Sequence, residues 1–450
     1  MNRKKFMIVG SGGRESAFAM KLSEDAIVFA VISHENPTII DCVTASGGNY
    51  LIGNPNNSET VLKFATDNRV DYVFVSADEP LANGVVDVLL ENNIKAIGGV
   101  KEATRIEWDK VYSIEMMKKT CPEFTPFYLT VSTPAEIEPA INQFIQQGLS
   151  VVVKPQGLTG GKGVKVMPEH LATYQDAIGY ATHLLKEKPN EKVLLVEKLH
   201  GIEFTIMGIT DGTTLVLSPA SYDYPFRLDD DLGPGTGGMG CFTNCEKKLP
   251  FMTDADLNNC QLIMQRIIDE MRSNGLIFNG VLNGGFFITE KGIRFMEFNS
   301  RFGDPEVLNI LTILQSSFST LLENIWDKTL SEDKVKFLKE ASVIKYLVAK
   351  EYPYESANVI NFTVDTTAIE NLGLNVFYAT CVKTGENSYQ TLKKSRVIAI
   401  GATSKSIEEA SLKIDQAIDL YVTGDLEYRK DIGSKTHLEK LNRILHDMRK

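Results

Sequence analysis

The chain has little that would take it to a membrane, out of the cell or onto a nucleic acid. No apolar run reaches the ~18 residues of a spanning helix. The N-terminal Met1-Asn2-Arg3-Lys4-Lys5 is basic, but the apolar stretch behind it, Phe6-Met7-Ile8-Val9, ends after one strand's length at Gly10. A signal peptide needs a longer apolar region and a cleavage site, so a cytoplasmic protein is expected. Positive charge is in deficit: 47 Lys+Arg against 58 Asp+Glu leave a net charge of −11. Nucleic acids and anionic membranes ask for a basic face, so neither is an expected partner. Small anionic ligands stay open, because a few local charges build their sites. Cysteine is sparse and scattered: Cys42, Cys121, Cys241, Cys245, Cys260 and Cys381 read as reduced thiols rather than a disulfide frame. Cys241 and Cys245 lie close but lack a His or Cys partner at zinc-like spacing. None of the histidines (His34, His170, His183, His200, His437, His446) stands in a catalytic-looking context. No Gly-x-Ser-x-Gly elbow and no cysteine nucleophile appear, nor any repeat or low-complexity segment.

What is present is an ordinary globular composition, 43% hydrophobic and 23% charged over 450 residues, with a prior of about three domains. Up to about residue 100, strand runs (6–9, 27–32, 72–75, 96–97) alternate with helical stretches, the pattern of a doubly wound parallel sheet. Gly98-Gly99 marks a candidate boundary. A helix around 108–117 opens a second, mixed α+β region with antiparallel pairs: strands near 151–153, 193–196, 204–208, 281–288 and 292–298, and a helix from about 254 to 273. From about 331 the character changes again, with strands at 341–348 and 397–400 and a helix from 406 to about 421.

Four segments carry chemistry. Gly10-Ser11-Gly12-Gly13-Arg14-Glu15 follows a strand and opens a helix, where backbone N–H groups and the dipole attract phosphate and Arg14 adds a guanidinium. Glu15 stands where the dinucleotide fingerprint needs its third glycine, although Glu35 resembles that fingerprint's ribose-binding acid. A phosphate site, a purely structural turn and a dinucleotide site all remain open here. Lys154-Pro155-Gln156-Gly157-Leu158-Thr159-Gly160-Gly161-Lys162-Gly163-Val164-Lys165 is a strand feeding a glycine loop with lysines, suited to folding over a polyphosphate. It is not a Walker A loop, because Gln156 and Gly163 stand at positions that motif reserves for Gly and Ser or Thr. Gly233-Pro234-Gly235-Thr236-Gly237-Gly238-Met239-Gly240 permits close backbone approach to a ligand; the acidic run Asp229-Asp230-Asp231 before it reads as a solvated face. Finally, strand alternation in Phe295-Met296-Glu297-Phe298-Asn299 puts Glu297 and Asn299 on one face and Met296 and Phe298 on the other. Two hard oxygen donors on one face suit nucleotide-bound Mg²⁺, and a half-exposed strand with outward polar residues is the plainer reading. Tyr428-Arg429-Lys430-Asp431-Ile432-Gly433, near the chain end, says nothing alone.

Taken in order, these segments, with Tyr428–Gly433, resemble the glycinamide ribonucleotide synthetase (phosphoribosylamine–glycine ligase) family of ATP-grasp enzymes across essentially the whole chain. The resemblance implies an N-terminal Rossmann-like substrate domain (1–103), an ATP-grasp domain (104–330, lid about 121–200) and a C-terminal α+β domain (331–450). It implies ATP-dependent joining of glycine to 5-phosphoribosylamine through glycyl phosphate, in purine biosynthesis, by a monomer or homodimer. The alternative within the family is an amide ligase with another amino acid or amine. ATP and Mg²⁺ (or Mn²⁺) would be required.

Carried over by position, Lys110 and Lys154 meet ATP phosphates under a lid that includes Gly157, Gly160, Gly161, Lys162 and Gly163. Glu197, Lys198 and Leu199 lie against adenine, and Glu203 meets the ribose. Glu297 and Asn299 hold the metal. Gly10, Gly12, Gly13 and Arg14, with Arg301, Asp304 and Glu306, take the phosphoribosyl end. Asp223, Arg227, Gly237 and Gly238 lie near glycine or the acceptor amine. The chain departs from the family pattern at Ser16 (usually His), Pro155-Gln156 (Ala-Asp), Tyr224-Pro225-Phe226-Arg227 (His-Lys-Arg), Gly235 (Asn), Asn283 (Tyr) and Lys394-Ser395 (Gly-Gly). Several of these fall near the substrates.

Overall fold

The computed structural model describes residues 3–158, 163–393 and 395–448. Lys5–Val9 (β1), Ile27–Ile32 (β2), Tyr50–Ile52 (β3), Tyr72–Phe74 (β4) and Ala96–Gly99 (β5) form a parallel sheet in the order β3-β2-β1-β4-β5. These strands are apolar on both faces, with Met7, Ile8, Val28, Ala30 and Val73 fully buried, as helices on both sides require. The order reverses between β1 and β4. In open α/β sheets that point leaves a crevice beyond the carboxyl ends of the strands, where ligands bind.

Gly98 and Gly99, expected to mark a boundary, lie inside β5, which hands the sheet on. Phe278 pairs with Gly99 and Asn279 with Gly98. A Cβ at Gly98 would fall 2.7 Å from the Val75 carbonyl oxygen, so these glycines serve close strand approach. The helix expected around 108–117 is two helices, Lys101–Trp108 and Lys110–Thr120. They break at Asp109, whose extended backbone lets its side chain accept from Tyr112 N at 3.1 Å, a better use of a short carboxylate than a helix interior.

Tyr128–Val131 (β6), Val151–Pro155 (β7), Lys165–Val166 (β8) and Val193–Glu197 (β9) form a separate four-stranded antiparallel sheet, order β6-β9-β7-β8. Two helices, Pro134–Gln146 and Tyr174–Glu187, pack on it through Ile137, Ile141, Phe144 and Ala177, a core of its own. The chain then enters the large sheet with Ile202–Thr210 (β10), Leu215–Leu217 (β11) and Ser221–Asp223 (β12). A small hairpin, Phe226–Leu228 (β13) and Leu232–Gly235 (β14), precedes Gly240–Thr243 (β15), Phe278–Thr289 (β16) and Gly292–Asn299 (β17).

Ala341–Leu347 (β18) continues the sheet after the helices Glu306–Ile313 and Phe318–Trp326. Asn361–Val364 (β19), Asn375–Tyr378 (β20), Cys381–Lys383 (β21), Ser388–Thr391 (β22), Ile398–Ser404 (β23) and Val422–Thr423 (β24) follow. The main path runs β20-β23-β18-β15-β12-β10-β16-β5-β4-β1-β2-β3. One continuous sheet therefore crosses all three expected parts of the chain. No helix among the described residues is long and apolar enough to cross a membrane.

Candidate active site

A cavity of about 540 Å³ opens between the β6–β9 layer and the large sheet. Its walls come from every part of the chain: Arg14, Lys110, Lys154, Glu203, Glu297 and Arg396 all reach it.

At one end two lysines meet apolar walls. Lys110 opens its helix and donates from Nζ to the Gly157 carbonyl at 2.8 Å. Burial pushes its ammonium below the ordinary range, against the pull of Glu297, and Lys154 adds to the lowering. Lys154, on β7, is 9% exposed with Nζ 3.5 Å from the Met296 carbonyl oxygen. Two ammonium groups close enough for Lys154 to disfavour the charge on Lys110 suit a polyphosphate. Ile114, Leu194, Val196, Leu158 and Met296 line the same end, a slot suited to a flat base. Gly160, Gly161 and Lys162 lie outside the described residues. Gly157 and Gly163 flank that stretch, and Tyr180 Oη donates to the Gly163 carbonyl at 2.9 Å. The side chains of Glu197 and Lys198 are committed elsewhere: Glu197 accepts from Phe127 N at 3.1 Å and Lys198 pairs with Glu169. Leu199 lies outside the cavity wall. The expectation for this linker is thereby reduced to its backbone.

The floor is one face of the large sheet. Glu203 and Thr205 on β10, Asn283 and Gly285 on β16, and Glu297 and Asn299 on β17 all line it. Asn283 stands opposite Asn299, and Gly285 opposite Glu297. The expected alternation fails at Met296. The register slips between Gly285 and Phe286, so Phe286 faces Phe295 and Met296 is the extra residue of a bulge, which re-aims side chains. Phe295 and Phe298 consequently pack together in the core at 4.7 Å between ring centroids. Met296 lies over Gly285 instead, where an added Cβ would meet its Cε at 2.6 Å.

Among the described residues no three His, Cys, Asp or Glu side chains form a metal cluster. A cation here must be completed by amide, phosphate and water oxygens. Mg²⁺ accepts that donor set, so Glu297 and Asn299 fit it.

Glu203 is pushed up to about 7 by burial first and then by Glu297. A carboxyl whose folded pKa is raised favours the fold below its unfolded value, near 4.5, and that contribution is lost as pH rises through about 7. Without ligands, Glu203→Gln should match the wild-type melting temperature at about pH 4. At about pH 8 it should be the more stable, by at most ~3 kcal/mol. Equal melting curves at both pH values would remove the assignment.

At the far end the cavity meets the switch point of the parallel sheet. Arg14, at the start of the first helix, and Asp78, after β4, line it from the two sides of the crevice. Arg301 Nε lies 3.2 Å from Glu107 Oε1, while Glu107 Oε2 accepts from Ser300 N and Oγ at 2.9 and 2.8 Å. Burial works to raise the Asp78 carboxyl, yet Arg301 and then Arg14 hold it below its ordinary range. Two guanidinium groups at the carboxyl end of a parallel sheet suit a phosphate or phosphosugar. Asp78 and Glu107 carry no motif; Asp78 is marked only by lying beyond the carboxyl end of β4, where the strand order reverses, and no local signal marks Glu107 in its helix.

The glycine turn departs from expectation. Gly10, Gly12 and Gly13 are not in the wall. Gly12 N donates to Glu15 Oε2 and Arg14 Nε to Glu15 Oε1, both at 2.7 Å, so the turn's own acid takes one of its backbone donors and one edge of the guanidinium. Gly13 is glycine for a packing reason, since a Cβ would sit 2.0 Å from Tyr346 Oη.

Tyr346 Oη donates to Asp304 Oδ1 at 2.8 Å. Asp304 Oδ2 lies 3.1 Å from Arg396 Nη2, and Arg396 Nη1 donates to the carbonyls of Gly237 (2.6 Å), Gly238 (3.1 Å) and Asp304 (2.9 Å). The Arg396 guanidinium also stacks over Tyr346 at 4.5 Å. A C-terminal arginine thus sets the glycine loop and the Asp304 turn against the cavity. Asp223 and Glu306 line the same end. Burial holds Asp223 well above the carboxylate range, with Glu306 and Glu203 adding to the shift.

Arg227 does not join them. Its Nη2 pairs with Glu427 at 2.6 Å and its Nε donates to the Tyr352 carbonyl at 3.1 Å. Beside Asp223, the arginine that faces the cavity is Arg396. The acidic run is a clamp rather than a solvated face: Asp229 Oδ1 accepts from Lys430 N at 3.0 Å, and Arg429 bridges Asp231 (3.1 Å) and Asp431 (2.6 Å). Tyr428–Gly433 thereby braces the cavity wall from behind. Ser16 is fully buried away from the cavity and donates to the Tyr378 carbonyl, beside Asn36, whose Nδ2 reaches that carbonyl at 2.8 Å. Ser16 thereby joins the first and last parts of the chain and is not part of the cavity wall.

Comparison with known proteins agrees along the chain. Residues 4–107, 108–307 and 342–435 match the N, ATP-grasp (A) and C domains of phosphoribosylglycinamide synthetase. Phosphoribosylamine–glycine ligases of Pyrococcus horikoshii and Methanocaldococcus jannaschii are each 34% identical to it, over 99% of this chain and 98% and 100% of theirs. The crystal structure of the Thermotoga maritima phosphoribosylamine–glycine ligase shares the fold, with a TM-score of 0.78, 24% identity and coverage of 95% of this chain and all of that one. The biotin carboxylase domain of Hydrogenobacter thermophilus 2-oxoglutarate carboxylase, solved with MgADP and bicarbonate, shares it at a TM-score of 0.70 and 15% identity, covering 98% of each chain. With its three domain matches, its full-length relatives and a cavity built from all three regions, this chain belongs to the phosphoribosylglycinamide synthetase family of ATP-grasp enzymes.

Proposed function

We propose that the chain joins glycine to 5-phosphoribosylamine at the expense of ATP, giving glycinamide ribonucleotide, ADP and phosphate, the ligase step of purine biosynthesis. The observation that carries this reading is the two-ended cavity. Paired lysines and an apolar slot lie at one end, Arg14 and Arg301 at the other, and a carboxylate- and amide-lined floor runs between.

The chemistry asks for no covalent group from the protein. A glycine carboxylate oxygen attacks the γ-phosphorus, the bond to the β–γ bridging oxygen breaks, and ADP leaves. The phosphoribosylamine nitrogen then attacks the glycyl phosphate carbonyl, phosphate departs, and the nitrogen loses a proton. Lys110 and Lys154 neutralise the polyphosphate and are already in place, so their reorganisation during transfer is small. Glu297 and Asn299 would hold the divalent cation, which when bound draws charge off the transferred phosphoryl group. Arg14 and Arg301 hold the phosphosugar so that its amine meets the acyl group, an orientation effect. The walls on both sides keep water from a labile acyl phosphate.

The same family with a different amino acid or amine is the second reading, favoured by Asn283 and the rearranged 223–227 segment on or beside the cavity. Phosphate release with Mg²⁺-ATP against a panel of amino acids and amines separates the two. Release that needs glycine and phosphoribosylamine together supports the first. Release with other pairs and not this one replaces it by the second.

A further inference from the structure

A buried polar atom without a partner is expensive, and native proteins hold few of them. Asn283 holds one. It is 2% exposed, and its Oδ1 is buried with no hydrogen-bond partner among the described residues. The side chain forms part of the cavity wall rather than of a dry core.

The amide is turned in a defined way. A Cβ at Gly303 would fall 2.9 Å from Asn283 Nδ2 and 2.4 Å from Glu306 Oε2. Glycine at 303 therefore lets the amide NH₂ and the carboxylate converge on one spot. Facing NH₂ toward a carboxylate is the arrangement that charge favours, and it leaves the carbonyl oxygen unused. An acceptor-only atom needs a donor or a cation. The same cavity wall carries further oxygen acceptors, Asp223, Glu306 and the Asn299 amide oxygen, while Thr205 Oγ1 is already spent on Glu306 Oε1 at 3.2 Å.

We propose that Asn283 is a specificity-determining residue: its Oδ1 accepts an N–H from the ammonium group of the small amino-acid substrate, on the stretch of wall that also carries Asp223 and Glu306. This rests on the amino-acid ligase reading above. An ammonium brings three donors, and the Asn283 Oδ1 is an acceptor that no protein donor among the described residues uses. The other occupant of fitting chemistry is a divalent cation shared with Asn299 and Glu297. Mg²⁺ takes few protein ligands beside phosphates and water, and that pair already supplies them.

The test compares the wild type with Asn283→Leu, which fills similar space without an acceptor, and Asn283→Asp, which keeps one. Steady-state kinetics give KM for glycine and for ATP, and electron paramagnetic resonance gives the Mn²⁺ dissociation constant of the ADP complex. Asn283→Leu should raise KM for glycine by about thirty-fold or more, because a site built to pair an N–H is left with none. KM for ATP and the Mn²⁺ constant should stay within about twofold, and Asn283→Asp should keep glycine recognition. An unchanged KM for glycine in Asn283→Leu, or a Mn²⁺ constant that shifts instead, overturns the proposal. Should Asn283→Leu fail to fold, Asn283→Ala carries the same comparison. A wild-type chain that ignores glycine but uses another small amino acid contradicts the glycine assignment alone, and the same KM comparison with that amino acid then decides the role of Asn283.

Discussion

Glu297→Gln should release phosphate at about one-thousandth of the wild-type rate or less, with folding intact. Phosphoryl transfer is mostly a matter of positioning and neutralising charge, and a thousand-fold loss corresponds to ~4 kcal/mol of transition-state stabilisation. Of the two oxygen donors on the β17 face, only Glu297 is a carboxylate, so the glutamine keeps the shape and removes the charge. The defect belongs in kcat, since ATP retains Lys110 and Lys154. A second signature separates this from general damage. Glu297 is the first charge, after burial itself, that holds Glu203 up near 7, so Glu297→Gln should lower the Glu203 pKa and raise the unliganded melting temperature near pH 8. A mutant that turns over normally would mean the metal is held elsewhere.

Arg396→Met should lower kcat/KM by about a hundred- to a thousand-fold, chiefly through the amine substrate. The guanidinium bonds three carbonyls and the Asp304 carboxylate while stacked on Tyr346. Removing it leaves Asp304, nearly buried, with Tyr346 Oη alone, and breaking a buried pair from one side costs about 3–5 kcal/mol. The Gly237–Gly238 loop loses the group that sets it. Lysine cannot reproduce a planar, multidentate contact, so Arg396→Lys should recover only part of the loss. Tyr346→Phe, which gives up one hydrogen bond to Asp304, should cost less, about tenfold. Kinetics with ATP varied and with amine varied distinguish this from a nucleotide-site defect; equal losses in both would contradict a positioning role at the amine end.

Much of the fold and part of the site could be read from the chain because the signals are local. Strand runs alternating with helices before residue 100 imply a parallel sheet, and the lysines and glycines of 154–165 imply polyphosphate, whereas Lys110 is marked only by the family resemblance. What escaped is decided by pairing far along the chain. The bulge at Met296 depends on the register with Gly285. The acidic run 229–231 is a clamp because residues 428–433 come to it. Arg227 leaves its expected place because Glu427 lies beside it, and Arg396, for which the sequence sets no expectation, stands at that end of the cavity beside Asp304 and Gly237–Gly238. Asp78 and Glu107 have no motif, and Asp78 is marked only by lying beyond the carboxyl end of β4, where the strand order reverses. Glycines misled in both directions: Gly13 makes room for Tyr346, and Gly98 and Gly99 make room for strand contact.

The proposed reaction activates glycine by direct attack of its carboxylate on the γ-phosphate. Glycine labelled with ¹⁸O in both carboxylate oxygens, turned over with Mg²⁺-ATP and phosphoribosylamine, tests it in one experiment. One labelled oxygen should appear in each inorganic phosphate released and the other should remain in the amide product. Phosphate free of label, with both labelled oxygens still on unreacted glycine or lost to water, would contradict the account.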